Sequence, residues 1–471
     1  MNKSIITKIY DGGIEVELKD KCCMVIGTGI SGIGAATLLY EKGAKVTIYD
    51  ANTKTNIEKV QEKLGEIKAD IIIGAFDYDT ILSYDLLVIS PGVPIDNPVV
   101  VGFKEKNVPV WGEIELAYHF EKGTVIAITG TNGKTTTTAL TGQIIGAWAK
   151  SSYVVGNIGN PYTTQAVKTD KDSYTIAEIS SFQLETIHEF HPKVSAILNI
   201  TPDHLDRHHT MECYVETKER ISVNQDKSDI CVLNYEDNYL VDFGNNCNAN
   251  VIWFSSKRKP PKSAKAQKSV YVEGDLIKYT DGSNDFDIIH VQDMNLIGVH
   301  NYENACAAIA MCAAVGVPLD IIINEVKRFK AVEHRIEYVA TKNDVVYYND
   351  SKGTNPDASI KAIKAMSRPT ILIGGGFDKG ADFDMYVDSF HPMIKLLVLM
   401  GQTSEKIAAA AKKQGFENII YAKDLEEVVQ ICAAHAKPGD AVLLSPACAS
   451  WDMFDNYEQR GRMFKQYVHL L

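Results

Sequence analysis

The stretch Val125–Thr137 constrains the fold of this chain more than any other. It places β-branched apolar residues directly before a glycine-rich turn, a lysine and three threonines. This order predicts a strand, a tight turn and a helix, because Gly130 and Gly133 permit a backbone path that a Cβ atom would block. The first N–H groups of such a helix point at an anion, and Lys134 and Thr135 can reach a phosphate and its Mg²⁺. We therefore predict an α/β fold with a phosphate site at the end of a sheet.

The turn has a compact form, GTNGKTT, in which Ile128 stands where the longer GxxxxGK[ST] pattern has its first glycine. Few families that use ATP carry this shorter form. The alternative is a structural glycine turn with an incidental lysine, and the order of strand, glycines, lysine and hydroxyls disfavours it. We predict that ATP is bound here by Gly130, Thr131, Asn132, Gly133, Lys134, Thr135 and Thr136.

A second glycine-rich turn lies near the N-terminus. The apolar run Cys23–Ile26 precedes Gly27–Gly34, and a second predicted strand, Lys45–Tyr49, ends on Asp50. A GxGxxG turn after a strand, with an acidic residue about 20 positions further on, is the dinucleotide-binding fingerprint. Taken alone, this pattern indicates NAD.

The length of the chain predicts its domain organisation. A chain of 471 residues exceeds what one hydrophobic core usually supports, so we expect three domains. We place them at residues 1–112, 113–331 and 332–471, because strands alternate with helical stretches in each. The predicted fold class is α/β, with a Rossmann-like first domain, a central phosphate-loop domain with a parallel sheet, and a Rossmann-like third domain.

Charge and cysteine content exclude several classes of function. The net charge of −12 disfavours non-specific binding to nucleic acid, because it repels a phosphate backbone. The nine cysteines include no CxxC pair, so we expect reduced thiols and neither a disulfide framework nor a zinc site. No apolar run approaches the about 18 residues that cross a membrane, and the first residues lead into no signal-type segment. We expect a cytoplasmic protein that does not insert into a membrane.

Two further segments carry ligand-type side chains. Glu178 follows the predicted strand Tyr174–Ala177, in the same sheet as the phosphate loop, where a Mg²⁺ ligand belongs. The alternative for Glu178 is an acid that stabilises a helix N-terminus. The segment Asn199–His209 holds several His and Asp residues, but zinc needs three or four convergent ligands, and no HExxH pattern is present. We therefore do not expect zinc.

Motifs along nearly the whole chain carry a family resemblance. They are GTNGKTT, AEISSFQLE, Asp203–Arg207, the helix start Gly298–Asn304, His334-Arg335 and Asp350–Lys352. Together they resemble the Mur ligase superfamily, whose members are ATP-dependent, amide-forming enzymes of peptidoglycan assembly. Three segments are similar to the branch that adds D-glutamate: Gly27–Gly34, Gly374–Gly380 and Ser445–Gly461. The branch that adds diaminopimelate carries DNPR in its last domain, whereas here Asp96–Pro98 lies in the first domain and Val99 follows, so that branch is disfavoured.

The resemblance changes the interpretation of the N-terminal fingerprint. It implies that the first domain holds a UDP-sugar substrate and no nicotinamide, since a helix N-terminus serves either diphosphate. The residues that match the UDP-substrate contacts of the family are Ile30, Ser31, Asp50, Gly92, Asn157 and Ser180.

The resemblance also implies the catalytic and metal-binding residues. The positions that match catalytic residues are Lys134, His204, Lys218 and Lys352. Those that match ligands of two Mg²⁺ ions are Thr135, Glu178, His204 and a carbamylated Lys218. Carbamylation converts a cation that would repel Mg²⁺ into a carboxylate that helps to hold it. The alternative for Lys218 is a solvated helix lysine paired with Glu216 or Glu219.

The resemblance implies two further sets of contacts. Asn301 and Asn304, before the third domain, match adenine-side contacts, and Arg335, Asp350 and Lys352 in the third domain match positions that close over ATP. Thr354, Lys379, Ser450 and Tyr457 match the D-glutamate pocket. Lys352 and Lys379 could instead be surface lysines, but both lie in Gly- and Thr-containing loops at strand ends, where binding residues concentrate.

The implied reaction joins D-glutamate to UDP-N-acetylmuramoyl-L-alanine through an acyl phosphate made with ATP. We expect a monomer that binds these substrates and two Mg²⁺ ions. A sister ligase such as folylpolyglutamate synthase shares the phosphate loop but should lack the UDP-type first domain. An NAD-dependent oxidoreductase explains only Gly27–Asp50 and leaves Lys134 without a role. A regulatory nucleotide-binding module would need no third domain with lysine-bearing loops.

Overall fold

The fold was analysed in a computed structural model that describes residues 7–10, 13–296, 298–330 and 332–471. The chain divides into two compact units, Met1–His290 with Glu303–Val326, and Val291–Tyr302 with Lys327–Leu471. Met1 and Ala331, which bound two of the predicted domains, lie outside the described residues, as does the start of the chain that we examined for a signal segment.

The first unit begins with a short antiparallel pair and a five-stranded parallel sheet. The pair is β1 (Thr7–Tyr10) and β2 (Gly13–Val16), and the sheet strands are β3 (Cys22–Ile26), β4 (Lys45–Asp50), β5 (Ala69–Ile73), β6 (Leu86–Ile89) and β7 (Val110–Gly112). The sheet order is β5-β4-β3-β6-β7. Its helices are α1 (Ile30–Glu41), α2 (Ile57–Leu64) and α3 (Pro98–Glu105), with a 3₁₀ turn at Tyr78–Ser83. Strands β3 and β6 are apolar throughout, as expected for strands covered on both faces.

The same unit contains a nine-stranded sheet that carries the phosphate loop. Its strands are β8 (Thr124–Thr129), β9 (Ser151–Gly156), β10 (Ser173–Glu178), β11 (Val194–Ile197), β12 (Ile230–Asn234), β13 (Asn250–Ser255), β14 (Lys268–Glu273), β15 (Leu276–Thr280) and β16 (Asp285–His290). The order is β16-β15-β14-β13-β12-β11-β8-β10-β9, parallel except for the pairings of β15. Strand β8 therefore lies between β10 and β11, and the carboxyl ends of these three strands share one edge.

The helices from residue 113 to residue 328 connect the strands of the central sheet, precede its first strand or follow its last one. They are α4 (Glu113–Tyr118), α5 (Lys134–Trp148), α6 (Tyr162–Ala166), α7 (Ser181–Leu184), α8 (Leu205–His208), α9 (Met211–Glu219), α10 (Asn238–Asn246), α11 (Val299–Ala314) and α12 (Leu319–Arg328), with 3₁₀ turns at Arg220–Ser222 and Val291–Asp293. Helix α9 starts where the Thr210 hydroxyl accepts a hydrogen bond from the N–H of Cys213, and Asp237 caps α10 in the same manner.

The second unit has a six-stranded sheet of order β17-β18-β22-β19-β20-β21. The strands are β17 (Glu337–Lys342), β18 (Val345–Asn349), β19 (Thr370–Gly374), β20 (Ile394–Leu399), β21 (Ile419–Tyr421) and β22 (Ala441–Leu444). Only β17 runs antiparallel to its neighbour. The helices are α13 (Pro356–Lys364), α14 (Asp384–Asp388), α15 (Ser404–Lys413), α16 (Leu425–His435) and α17 (Tyr457–Leu470).

The predicted α/β class is confirmed, with three largely parallel sheets, one in each of the three predicted domains; the first two of these domains lie for the most part in the first compact unit. One local expectation needs correction. Residues 255–285 are rich in Lys, Ser, Pro, Gly and Asp, a composition that predicts a solvated hairpin. The hairpin of β14 and β15 exists, but it extends the central sheet and buries Val270, Tyr271 and Ile277. Among the described residues, no helix is both long and apolar enough to span a membrane.

Candidate active site

The phosphate loop joins β8 to α5. Gly130 and Gly133 have φ values of +148° and +88°, and a Cβ on Gly133 would lie 2.2 Å from the Asn304 side-chain oxygen. The loop therefore requires glycine at Gly133 both for its backbone and for space. The ammonium of Lys134 folds back and donates to the carbonyl oxygens of Gly130 and Thr131, at 2.8 and 3.0 Å.

Residues after β11 hold the loop in place. The N–H of Asn132 donates to the side-chain oxygen of Asn199 at 2.9 Å, and the Asn199 amide donates back to the Asn132 carbonyl at 3.0 Å. The hydroxyl of Thr131 lies 3.1 Å from that of Tyr214, and it accepts from the N–H of Thr201 at 3.0 Å. Asn199 and Tyr214 were absent from the sequence prediction. The position of Asn199 follows from the parallel pairing of β8 with β11, and Tyr214 reaches the loop from α9; sequence spacing reveals neither.

Glu178 is the last residue of β10 and is 1% exposed. One carboxylate oxygen accepts from the side-chain amide of Asn157 at 2.8 Å. The other is buried and has no hydrogen-bond partner among the described residues. A buried carboxylate oxygen without a hydrogen-bond donor destabilises the fold unless a cation or a water molecule binds it, so this carboxylate suits a Mg²⁺ ligand. The structure places Glu178 at a strand end, outside any helix N-terminus.

Lys218 lies in α9 and is only 1% exposed. Its ammonium nitrogen lies 4.6 Å from the ring centre of Tyr214. Burial first, and then the charge of Lys134, hold the pKa of Lys218 well below its usual value, although Asp203 opposes this shift. The interpretation as a solvated lysine is therefore wrong, and no ion pair with Glu216 or Glu219 is found in the described part of the chain.

The turn that carries His204 lies beside α7 and α8. His204 has a left-handed backbone conformation with φ of +53°, and its half-exposed ring lies 3.6 Å from the Asp203 carboxylate. The ring of Phe182 contacts it edge-on, with centroids 4.8 Å apart. The side chain of Asp206 lies outside the described residues. Ser180, expected to contact the UDP-substrate, caps α7 together with Gln183 in a reciprocal capping box.

The expected UDP-substrate residues of the first domain cluster around the start of α1. Ile30 is exposed, Ser31 is half-buried and Gly92 is exposed. The Thr28 hydroxyl donates to the carboxylate of Asp50 at 2.6 Å. The start of α1 has no side-chain cap, so its N–H groups remain available to an anion.

Ser90 adds a group that the sequence prediction missed. Its hydroxyl is buried without a hydrogen-bond partner among the described residues, and a Cβ on Gly27 would lie 2.6 Å from it. The signal was present in the sequence, since Ser90 opens the turn after β6 and strand ends of parallel sheets bind ligands.

Asn301 and Asn304 both lie in α11 and are 3% and 5% exposed. Their spacing of three residues places both side chains near one face of the helix. Asn304 belongs to the first unit, where its side chain approaches Gly133 of the phosphate loop.

Asp350 follows β18 in the second unit and is 1% exposed. Its carboxylate accepts from the Ser445 hydroxyl at 2.7 Å and from the N–H of Ile336 at 3.3 Å. Burial raises the pKa of Asp350 from 3.8 to about 6, although Arg335 and Ser445 act in the opposite direction. The structure thus brings Arg335 and Asp350 together within one unit.

The remaining predicted residues of the second unit lie in two places, one beside Tyr457, the first residue of α17, and one beside Trp451. The Lys352 ammonium lies 5.7 Å from the ring centre of Tyr457, and the N–H of Thr354 donates to the Lys352 carbonyl at 2.9 Å. Lys379 is exposed and lies 5.7 Å from the ring centre of Trp451, which is itself 63% exposed. Ser450 is buried directly before Trp451.

Arg460 links the loop after β18 to the loop after β22 through hydrogen bonds, although we assigned it no role from the sequence. It is fully buried in α17, and its guanidinium donates to the hydroxyl and carbonyl of Ser351 at 3.0 and 2.8 Å. It also donates to the carbonyl of Cys448 at 3.2 Å. Burial lowers the pKa of Arg460 to about 10. Its position within a matched motif was the only sequence signal.

Across the described residues, one group of three metal-type ligands converges, at Glu333, His334 and Glu337. The ammonium of Lys465 lies 2.5 Å from the carboxylate of Glu333 and 2.9 Å from that of Glu337. An internal cation thus already neutralises this group, which fits an ion-pair network better than a metal site.

Comparison with known proteins covers all three domains. The MurD-like Mur ligase N-terminal domain matches residues 21–112, the Mur ligase middle domain matches residues 128–312, and the Mur ligase glutamate ligase domain matches residues 334–448. A solved structure of the MurF ligase of Thermotoga maritima in complex with ADP has the same fold, with a TM-score of 0.59 at 16% identity over 96% of each chain.

Two curated relatives are much closer in sequence. A UDP-N-acetylmuramoylalanine–D-glutamate ligase of Lachnospira eligens is 68% identical over 97% of this chain and 100% of its own length. A protein of the same name from Lachnoclostridium phytofermentans is 51% identical over 96% of this chain and 98% of its own. The chain therefore belongs to the Mur ligase superfamily, in the family of the UDP-N-acetylmuramoylalanine–D-glutamate ligases.

Proposed function

We propose that this chain is the ATP-dependent ligase that adds D-glutamate to UDP-N-acetylmuramoyl-L-alanine during the synthesis of peptidoglycan precursors. The observation that carries this conclusion is the 68% identity to a ligase of that name over 97% of the chain. The alternative of a folylpolyglutamate synthase is not favoured, because the MurD-like N-terminal domain matches residues 21–112. The same match accounts for the glycine turn at Gly27–Gly34 without a nicotinamide cofactor.

The reaction joins two anions, so its main difficulty is electrostatic. The alanyl carboxylate attacks the γ-phosphorus of ATP, ADP leaves, and an acyl phosphate results. The D-glutamate amine then attacks the acyl carbon, loses a proton and expels phosphate. Lys134 lies at the loop that would hold the β- and γ-phosphates, where its positive charge reduces the repulsion between the reactants.

We infer that residues Gly130 to Thr136 bind the phosphates of ATP through backbone N–H groups, with Asn301, Asn304, Arg335 and Asp350 as further contacts. The glycine conformations of the loop and the close approach of Asn304 to Gly133 support the first assignment. Lys352 would close over ATP.

We infer two Mg²⁺ sites, which Thr135, Glu178, His204 and carbamylated Lys218 would hold. Bound Mg²⁺ would neutralise charge on the phosphates and the developing acyl phosphate. The unpartnered oxygen of Glu178 supports one site. For Lys218, the neutral amine would attack CO₂, form an N–C bond and lose a proton, which leaves a carbamate. The burial of Lys218 beside Lys134 supports this modification, because both lower the pKa of Lys218 and so favour the neutral amine that reacts with CO₂.

We propose that Ile30, Ser31, Asp50, Gly92, Asn157 and Ser180 contact the UDP-substrate, and that Thr354, Lys379, Ser450 and Tyr457 form the D-glutamate pocket. The uncapped start of α1 supports the diphosphate assignment. The ammonium of Lys379 is exposed to solvent, so the side-chain carboxylate of D-glutamate can reach it. Ser180 also caps the start of α7, so it could position this helix as well as contact the substrate directly.

We further propose a monomer that works in the cytoplasm without membrane insertion, with domains at residues 1–112, 113–331 and 332–471. A nucleotide-linked substrate and ATP are both cytoplasmic compounds, which supports this location. The limits of the matched segments, 21–112, 128–312 and 334–448, fall inside these boundaries.

The decisive experiment measures phosphate release from ATP with UDP-N-acetylmuramoyl-L-alanine and one amino acid at a time. D-glutamate should drive release. Diaminopimelate should not, because one lysine and neutral hydroxyls suit a single side-chain carboxylate, and L-glutamate should not, because its opposite configuration directs the amine away when the side-chain carboxylate is bound. Equal turnover with diaminopimelate would contradict the proposal. Omission of the UDP-substrate serves as the control for background ATP hydrolysis.

A further inference from the structure

Arg207 makes three kinds of contact at once. Its guanidinium forms a two-pronged ion pair with Glu185, in which Nε lies 3.3 Å from Oε1 and Nη2 contacts Oε2. The same Nη2 donates to the carbonyl oxygen of Val93 at 3.2 Å. Its central carbon lies 4.7 Å from the ring centre of Phe182. The side chains of Arg207 and Glu185 are only 13% and 8% exposed.

The Val93 carbonyl belongs to the turn after β6. The N–H of Val93 donates to the carbonyl of Ser90 at 2.9 Å, which closes a tight turn around Gly92. Ser90 in turn faces Gly27 and Gly32 of the N-terminal glycine turn, since a Cβ on either glycine would lie within 3 Å of its hydroxyl. A contact at Val93 therefore acts on the turn that we assign to the UDP-substrate.

The other side of Arg207 belongs to the His204 turn. Arg207 follows His204 by three residues, and its N–H donates to the His204 carbonyl at 3.0 Å. The ring of Phe182 contacts both Arg207 and His204. One side chain thus connects the UDP-type turn of the first domain with the proposed metal-binding turn of the central domain.

The chemistry of this link requires a guanidinium. A planar fork can bond both oxygens of Glu185 and still direct one N–H at the Val93 carbonyl, whereas a lysine ammonium cannot keep this geometry while stacked on a ring. The low exposure of the pair reduces screening by water. Glu185 also lies 3.7 Å from the ring of His208, which itself contacts the Ser181 hydroxyl at 3.0 Å, so the carboxylate is held from two sides.

We infer that Arg207 is a positioning residue that sets the distance between the bound UDP group and the His204 turn, with Glu185 as its anchor. This inference rests on the proposed function. Arg207 should therefore affect the affinity for the UDP-substrate and have little effect on the affinity for ATP, because its side-chain contacts within the described part of the chain are with Glu185, Val93 and Phe182 and not with the phosphate loop.

The test compares Arg207→Lys, Glu185→Gln and a matched control, Arg220→Lys. Arg220 also donates to two carbonyls, those of Leu184 and Ile187 at 2.9 and 2.7 Å, but both belong to the central domain. Arg207→Lys should raise the KM for the UDP-substrate about tenfold, which matches the loss of one charge-assisted hydrogen bond, and leave the KM for ATP within about twofold. Glu185→Gln should change the same constant in the same direction, and Arg220→Lys should leave the ratio of the two KM values unchanged.

Calorimetric binding of UDP alone separates this inference from the proposed function. Wild-type protein that binds UDP, together with about tenfold weaker binding by Arg207→Lys and by Glu185→Gln, would support the link. Equal affinity in both variants, or a parallel rise of both KM values, would overturn it. If Arg207→Lys does not fold, as judged by thermal unfolding, Glu185→Gln alone decides the question. A wild type that does not bind UDP would instead contradict the proposed function.

Discussion

Two lysines with proposed roles lie in opposite environments: Lys218 in the central domain is buried, and Lys379 in the second unit is exposed. Lys218 is 1% exposed beside an aromatic ring, and burial lowers its pKa. Lys379 is exposed, and its ammonium lies above a tryptophan ring that is itself 63% exposed.

The contrast separates two ways of building a binding site. Around Lys218, the hydrogen bonds of Thr131, Asn199 and Tyr214 fix the groups before any ligand arrives. Such preorganised charge is effective because it needs no rearrangement during the reaction. Around Lys379, water solvates the cation, and the ligand must displace that water. We therefore expect large rate effects from changes in the first region and effects on substrate affinity from changes in the second.

The largest effect is expected for Lys218→Ala, which should lower kcat at least about a hundredfold, because it removes the proposed carbamate from the metal site. Added formate or acetate should restore part of the activity, since the site needs a negative charge there. The measurement is phosphate release with and without the added carboxylate.

Lys193→Ala is the matched control for this experiment. Lys193 lies in the same unit, but it is half-exposed and pairs with Asp229 at 3.0 Å. Its loss should leave kcat within about twofold, as for most surface ion pairs. Full activity of Lys218→Ala without added carboxylate would contradict the proposed metal-binding role of Lys218, because it would then behave like Lys193.

An intermediate effect is expected for Lys379→Ala. The KM for D-glutamate should rise about 10- to 150-fold, the range for a charge-assisted hydrogen bond, while the KM for ATP stays within a few-fold. Ser450→Ala removes a neutral donor and should raise the same KM less, about 2- to 12-fold. Steady-state kinetics with each substrate varied in turn measures both.

Trapping of the acyl phosphate without D-glutamate sharpens this test. Both variants should still form the acyl phosphate, and Lys413→Ala, an exposed lysine paired with Asp384, serves as the control in the same unit. If Lys379→Ala loses the first half-reaction while its affinity for D-glutamate is intact, Lys379 belongs to the phosphate site.

The smallest change is expected in stability, and it follows from the raised pKa of Asp350. A carboxyl whose pKa rises from 3.8 to about 6 on folding stabilises the fold in its neutral form, and this contribution is lost as the pH rises through 6. Asp350→Asn does not titrate, so the stability of the variant relative to wild type should improve by about 2 kcal/mol between pH 4 and pH 7. Denaturant unfolding of the ligand-free proteins at several pH values measures this. A difference that is constant with pH would show that Asp350 keeps its ordinary pKa.

Local patterns in the sequence predicted most of the fold. The strand, glycine turn and helix around Lys134 lie where the pattern placed them, because apolar strands and glycine conformations are determined by neighbouring residues. The polar composition of the hairpin of β14 and β15 predicts exposure to solvent. Its burial instead results from the pairing of β14 with β13, which the composition of the hairpin itself does not show.

The candidate site could be predicted only in part, for the same reason. Motifs selected Lys218 and Asp350, but the depth of their burial depends on helices and strands that are distant in sequence. Arg207 and Arg460 donate hydrogen bonds to the backbone carbonyl oxygens of Val93 and Cys448. Because every residue has a carbonyl group, no pattern of side chains in the sequence predicts such contacts.

The strand order of the second unit has a consequence for the synthesis of the protein on the ribosome. Strand β22, the last strand of that sheet to be translated, lies between β18 and β19, which are made much earlier. Until Ala441–Leu444 has left the exit tunnel, β18 and β19 each lack a neighbour on one side, and their unpaired edges are open to other nascent chains. Strands β8, β10 and β11 of the central sheet, by contrast, are all complete by residue 197, so the nascent chain can pair them long before the second unit is made.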